Sequence, residues 1–360
     1  MVNVSVGSSS ATTVQVVVVD QGSLENLEMR KFMHRITLIV FAVAMGAGLS
    51  RTQVADSVLS LSGEEPTQVD LADKPLPQWR DGKMILLEAS HGQRIGISVF
   101  AGKSTSLVTF AVPGARHVSV RGFSRGVDGT IALCGSLIDE DGRSGSYVGW
   151  VSPVGTDVHV VRTSPFVPTR VALASDGTIW TQGSEIRPRA NGEPLRHTLA
   201  EAMKSDAAVF RQFNRSGKLL RAVVAQSEIT NPNGLNTGSS IFEAVGSRVV
   251  WYSGLSRQHI VIEADGTVTK NNELQLPNNE SLSGGAFDTD GTLYVSSVSG
   301  STWSIARLDL TEKSWKSVMT GSISDRTAAI RRPTILGADG DRLVVNGSDS
   351  RHLRFFRITR

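Results

Sequence analysis

The chain has 360 residues, 40% hydrophobic and 20% charged, with 37 Lys and Arg against 34 Asp and Glu. That is enough apolar material for a large core, which argues against disorder and against a multi-span membrane protein, while so small a basic excess argues against nucleic acid as a partner. The single cysteine, Cys134, can form neither an intramolecular disulfide nor a thiolate metal cluster, and in the apolar run 130–135 it reads as a small buried hydrophobe.

Taken in chain order, the first feature is the uncharged run 36–49 (ITLIVFAVAMGAGL), preceded by Arg30, Lys31 and Arg35 and followed by polar residues. A basic segment, an apolar stretch of this length and small residues at its end make a secretory signal peptide, too short to span a bilayer comfortably. The expectation is an exported protein, periplasmic or secreted, whose true start is Met29. The alternative is a protein anchored by 36–49, and only through that uncleaved segment would it touch a membrane. Residues 1–50 are thus set aside as tail and signal, and 51–64 as a linker.

From about residue 65 the sequence has short runs rich in Val, Ile, Thr and aromatics, separated by Gly, Asp, Asn, Ser and Pro, which is strand grammar. A tight-turn dipeptide recurs before a strand at Asp81-Gly82, Asp128-Gly129, Asp176-Gly177, Gly246-Ser247, Asp290-Gly291 and Asp339-Gly340. These residues supply the positive φ that a two-residue hairpin needs. Successive spacings are 47, 48, 70, 44 and 49 residues. A period near 45–50 residues fits four strands and their turns. The long interval holds an insertion at about 184–206, briefly helical around Thr198–Lys204. Third and fourth strands follow, turning at Ser216-Gly217, Asp265-Gly266 and Thr311-Glu312. The sixth copy ends at residue 359 without room for a fourth strand, so a segment near Thr67–Leu71 is expected to close the ring. Trp180, Trp251 and Tyr294 recur at one place in the second strand and are assigned to packing between units.

The phrase of an apolar run, Asp-Gly-Thr, Leu or Ile and then Trp or Tyr, followed by a strand and a polar turn, resembles the NHL-like and TolB-like six-bladed β-propellers. The resemblance covers about 65–360. It implies an all-β fold of six four-stranded antiparallel blades, with an N-terminal strand completing the last. Such propellers include lactonases, lyases, binding modules and extracellular sensors, so the resemblance leaves function open.

Three common catalytic signatures are missing from the chain: there is no Gly-x-Ser-x-Gly, no His-Glu-x-x-His and no phosphate-binding Lys-Ser/Thr loop. The lactonase-type propellers hold a divalent metal with Glu, Asn and Asp, for which Glu243 and the Asn231, Asn233, Asn236 cluster are the nearest counterparts. The lyase type uses a His and a Glu, for which His259 and Glu243 or Glu228 would serve. In a propeller the loops from second to third strand, and from blade to blade, share one face. Arg116, His117, Arg170, Arg257, His259, Arg331 and Arg332 are placed on or beside that face, and with Glu243 they form the candidate site. Convergent Arg and His favour an anionic ligand. The sequence therefore reads as an exported propeller acting as a binding or scaffold module for an anionic small molecule, a glycan or a protein partner, with no cofactor. The alternative is a metal-dependent, lactonase-like hydrolase or lyase, the one reading that brings in a divalent metal.

Overall fold

A computed structural model describes residues 58–61, 67–68, 71, 74, 77–88, 92, 94–185, 205–235, 238, 240–276, 281–324, 330, 332–347 and 352–359. The unit Ser57–Arg360 is a ring of six antiparallel sheets. Blade one comprises β3 (Gln78–Arg80), β4 (Lys83–Leu87), β5 (Arg94–Ala101) and β6 (Ser104–Ala111). Blade two comprises β7 (Ala115–Arg125), β8 (Ile131–Asp139), β9 (Ser144–Val151) and β10 (Val158–Arg162). Blade three has β11 (Phe166–Leu173), β12 (Ile179–Glu185), β13 (Ala208–Phe213) and β14 (Leu219–Ala225). Blade four has β15 (Ser240–Val245), β16 (Arg248–Ser253), β17 (Gln258–Ile262) and β18 (Val268–Asn271). Blade five has β19 (Ser281–Phe287), β20 (Leu293–Ser299), β21 (Thr302–Asp309) and β22 (Ser314–Ser322). Blade six takes β23 (Thr334–Asp339), β24 (Arg342–Asn346) and β25 (His352–Thr359) from the C-terminal end. The protein is a six-bladed β-propeller.

The recurrent turn dipeptide joins the first two strands of every blade. In the Asp-Gly-Thr copies the Asp carboxylate accepts the backbone N–H of the Thr two residues on, at 2.9 Å in Asp128/Thr130, Asp176/Thr178 and Asp290/Thr292. The intervening Gly129, Gly177 and Gly291 have φ of 84°, 82° and 91°. An Asp side chain thus closes the turn while glycine takes the left-handed conformation that a Cβ would oppose.

The last blade is closed from the other end of the chain. β1 (Val58–Leu61) lies along β25 from Thr359 to Phe356, and β2 (Thr67–Gln68) continues along the same edge against Leu353 and His352. The expected segment near Thr67–Leu71 supplies two of these pairs. Most come from β1, which falls within 51–64, ahead of the span read as propeller from sequence. The insertion lies between β12 and β13. Its expected helix is outside the described residues, as are residues 36–49.

The inner strands of neighbouring blades pack face to face, and the core is divided accordingly into six apolar clusters, one at each blade–blade interface. Ile85, Ile97 and Phe110 meet Phe123, Leu133 and Tyr147 between blades one and two. Trp180 and Phe210 meet Phe242 and Trp251 between blades three and four, with Phe210 edge-on to Trp251 at 5.9 Å between centroids. Tyr294 meets Ile335, Leu343 and Phe356 between blades five and six. Met84 and Leu86 meet Val344 and Phe355 where blade six returns to blade one. Cys134 is fully buried with blade-three residues Val171 and Leu173, and desolvation pushes its thiol up to about 12.

His259 belongs to this core. It is 1% exposed in β17, tilted against the Phe287 ring of the next blade, and neither ring nitrogen has a partner. Burial, helped by the positive charge of Arg248, depresses its pKa from the ordinary 6.5 to about 4. Above pH 6.5 the ring is neutral in both folded and unfolded chains. As pH falls from 6.5 towards 4 the unfolded chain takes up a proton that the native state refuses, so stability declines by about 3 kcal/mol over that window. Denaturant melts from pH 7.5 to 4 should show that decline in the parent and a flatter profile in His259→Phe. Closure is tested separately. Deletion of 58–68 leaves the β25 edge unpaired, and size-exclusion chromatography with thermal melts should show association and a lowered midpoint.

Candidate functional site

The first strands of the blades, β3, β7, β11, β15, β19 and β23, form the inner wall of the ring. All six run from the loop face to the hairpin face, so residues early in each strand line one end of the channel and late residues the other. Four of the six carry an irregularity in their pairing with the second strand, at 120–122 in β7, 168–170 in β11, 282–284 in β19 and 335–337 in β23. An extra residue in one strand re-aims the side chains that follow. In β11 the irregularity immediately precedes Arg170, which faces the channel.

The channel holds two cavities of about 240 Å³ each. The loop-side cavity is bordered by Gln78, Arg80, Arg170, Glu243, Ser283 and Thr334 among others. The hairpin-side cavity is bordered by Asp81, Arg125, Asp288 and Asp339. Trp79, Arg80 and Glu243 line both and form the waist between them.

At the waist, Arg80 donates from Nη2 to the Ala244 carbonyl, and its Nη1 lies 4.0 Å from Glu243 Oε2. The same carboxylate oxygen accepts the Phe287 backbone N–H at 3.3 Å. Desolvation raises the Glu243 pKa, opposed by Arg80, the Phe287 N–H and Arg170. Desolvation lowers the Arg170 pKa to about 10, with Glu243 acting in the other direction. Arg170 keeps its charge at neutral pH. Trp79 Nε1 is buried without a partner. The loop-side cavity is therefore lined by two guanidinium groups and one carboxylate.

Of the residues singled out from sequence, Arg170 and Glu243 meet in this cavity. Arg116 and His117 are exposed near the start of β7. Arg257 is exposed between β16 and β17 with φ of 54°, and Arg332 is exposed just ahead of β23. Arg331 lies outside the described residues, and His259 borders neither channel cavity. Among the described residues, no group of three or more His, Cys, Asp or Glu side chains is placed to hold a metal ion. Arg80 and Trp79 are the site residues that sequence reasoning passed over. Their signal lies in the first strand of the first repeat, where Arg80 stands immediately before the Asp81-Gly82 turn.

No family model matches the chain, and no curated protein sequence matches it. Solved structures do. A streptogramin B lyase structure is similar at 11% identity, covering 82% of this chain and 97% of the other, with a TM-score of 0.47. A virginiamycin B lyase from Staphylococcus aureus is 12% identical over 82% of this chain and 99% of the other, with a TM-score of 0.41. TolB from Acinetobacter baumannii is 14% identical over 78% of this chain and 64% of the other, with a TM-score of 0.40. At these identities the likeness is one of fold.

Proposed function

We propose that this propeller is an exported binding module that takes a small carboxylate-bearing ligand, such as a sugar acid, into the loop-side end of its channel. One observation carries the reading: two guanidinium groups, Arg80 and Arg170, share a single carboxylate, Glu243, in a cavity of about 240 Å³. A guanidinium binds a carboxylate through two parallel hydrogen bonds, and the bond is stronger where water is scarce. Glu243 stands where a ligand carboxylate would compete for the same cations. Gln78, Ser283 and Thr334 offer neutral polar groups for the rest of the molecule. Export is supported by the basic segment and apolar run ending at residue 49. No helix among the described residues is long and apolar enough to cross a membrane.

Calorimetric titration with acetate, glucuronate and citrate at fixed ionic strength tests the site. Binding should weaken at least about tenfold in Arg170→Gln and in Arg80→Gln, since truncating one side of a buried charge pair commonly costs that much or more. Glu243→Gln should bind more tightly, because the internal competitor is gone. Parent protein that binds none of these anions, or an Arg170→Gln variant that is folded and binds as the parent does, would overturn the proposal.

A further inference from the structure

A second cationic site lies in the crevice between blades one and two at the hairpin face, where Arg125 stands between the crevice and the hairpin-side channel cavity. The crevice has a volume of about 190 Å³. Its floor is apolar, formed by Val99, Val108 and Ile131, and its polar lining includes Lys83 from β4, Ser106 from β6 and Arg125 from the end of β7.

Arg125 is the unusual member. Its Nη1 is buried without a partner, and among the described residues the side chain forms no hydrogen bond and no ion pair. Its Nη2 lies 3.1 Å from the position a Cβ on Gly129 would occupy, beside Pro153, so the guanidinium is tucked under the Asp128-Gly129 turn where that turn borders the crevice. Other arginines on the hairpin face are tied down. Arg215 donates to the Gly177 carbonyl at 2.9 Å and pairs with Asp128 at 3.1 Å. Arg248 donates to the Asp290 carbonyl at 2.8 Å. Asp128, the nearest carboxylate in sequence, is thus already engaged by Arg215 and by Thr130. Lys83 likewise has no ion pair among the described residues. A partly buried cation with an unpartnered donor destabilises the empty protein, and that cost is recovered when an anion binds.

We propose that this inter-blade crevice is a binding site for a tetrahedral oxyanion, the phosphate or sulfate group of a free ion or of an ester, held between Arg125 and Lys83 with the Ser106 hydroxyl as a further donor. Two positive charges and a hydroxyl suit a ligand with several acceptor oxygens and more than one negative charge. The crevice lies apart from Arg170, so the two anion sites are separable by mutation.

Titration of the full chain with inorganic phosphate and inorganic sulfate, followed by calorimetry and thermal midpoint against chloride at matched ionic strength, tests the proposal. The parent should bind and gain midpoint with both ions. Arg125→Gln should lose at least about tenfold in affinity, and Lys83→Gln a smaller but measurable amount. Without added anion, Arg125→Met should melt at or above the parent temperature, since an uncompensated charge has been replaced by an apolar chain; a lower midpoint would make Arg125 a structural residue and overturn the proposal. The proposal also fails if phosphate and sulfate do no more than chloride, if Arg125→Gln responds like the parent, or if Lys83→Gln is indifferent. Sugar phosphate and sugar sulfate monoesters separate the sources, with equal affinity marking the free ion and tighter ester binding marking an esterified ligand.

Discussion

The arrangement depends on how closely the inner strands of neighbouring blades can approach one another. At Gly337 in β23 an added Cβ would run into the Trp79 backbone carbonyl of blade one. At Gly284 in β19 it would lie 2.8 Å from the Ile335 carbonyl of blade six, and at Gly122 in β7 3.0 Å from the Arg170 Cα of blade three. Contacts of this kind leave no space for a side chain between one backbone and the next. They hold the inner strands near enough for only a narrow channel to remain, and they bring each blade face onto its neighbour, which is why the core is split into six interfaces. Interiors packed to crystal-like density do not yield easily to an added methyl group.

Within that frame the charges depart from the repeat. In the loop-side cavity they come from blades one, three and four, as Arg80, Arg170 and Glu243, while blades five and six contribute small or uncharged residues such as Ser283, Gly284, Gly285 and Thr334. The hairpin-side cavity has the opposite balance, with Asp81, Glu243, Asp288 and Asp339 against Arg80 and Arg125. The sign of the lining therefore changes along the axis, and low-dielectric walls concentrate such a field. An anion entering the channel from the loop end meets attraction, and one entering it from the hairpin end meets repulsion. Symmetry in the backbone and asymmetry in the charges together give the channel a direction.

Most of the architecture was legible because it rests on local chemistry. An Asp that caps its own turn and a Gly that tolerates positive φ are visible in any copy of Asp-Gly-Thr, and all six first hairpins fall where the turn dipeptides stand. The closing strand was harder. Val58–Leu61 is a four-residue run with no turn signature, and it becomes the outer strand of a blade only through its pairing with β25. The site was half legible: Arg170 and Glu243 were named and Arg80 was not. Loop polarity drew the reading towards Arg116, His117, Arg257 and Arg332, whereas channel residues are aimed by irregularities such as the one before Arg170, which leave no compositional mark. His259 shows the same limit from another side. In a strand covered on both faces alternation disappears, so nothing in Gln258–Ile262 distinguishes a buried ring from a loop-facing one.

The pairing of β1 with β25 also has a consequence in time. The two strands that complete the ring lie at opposite ends of the propeller sequence, Val58 opposite Thr359. During synthesis β1 emerges first and its partner last, so at ordinary elongation rates it waits roughly 15–60 s before it can pair. Throughout that interval the ring has no closing strand pair, because the partner of β1 is the last strand of the propeller. A machine that handles nascent chains thus meets this chain before its ring can close, since closure requires the last strand to have been made.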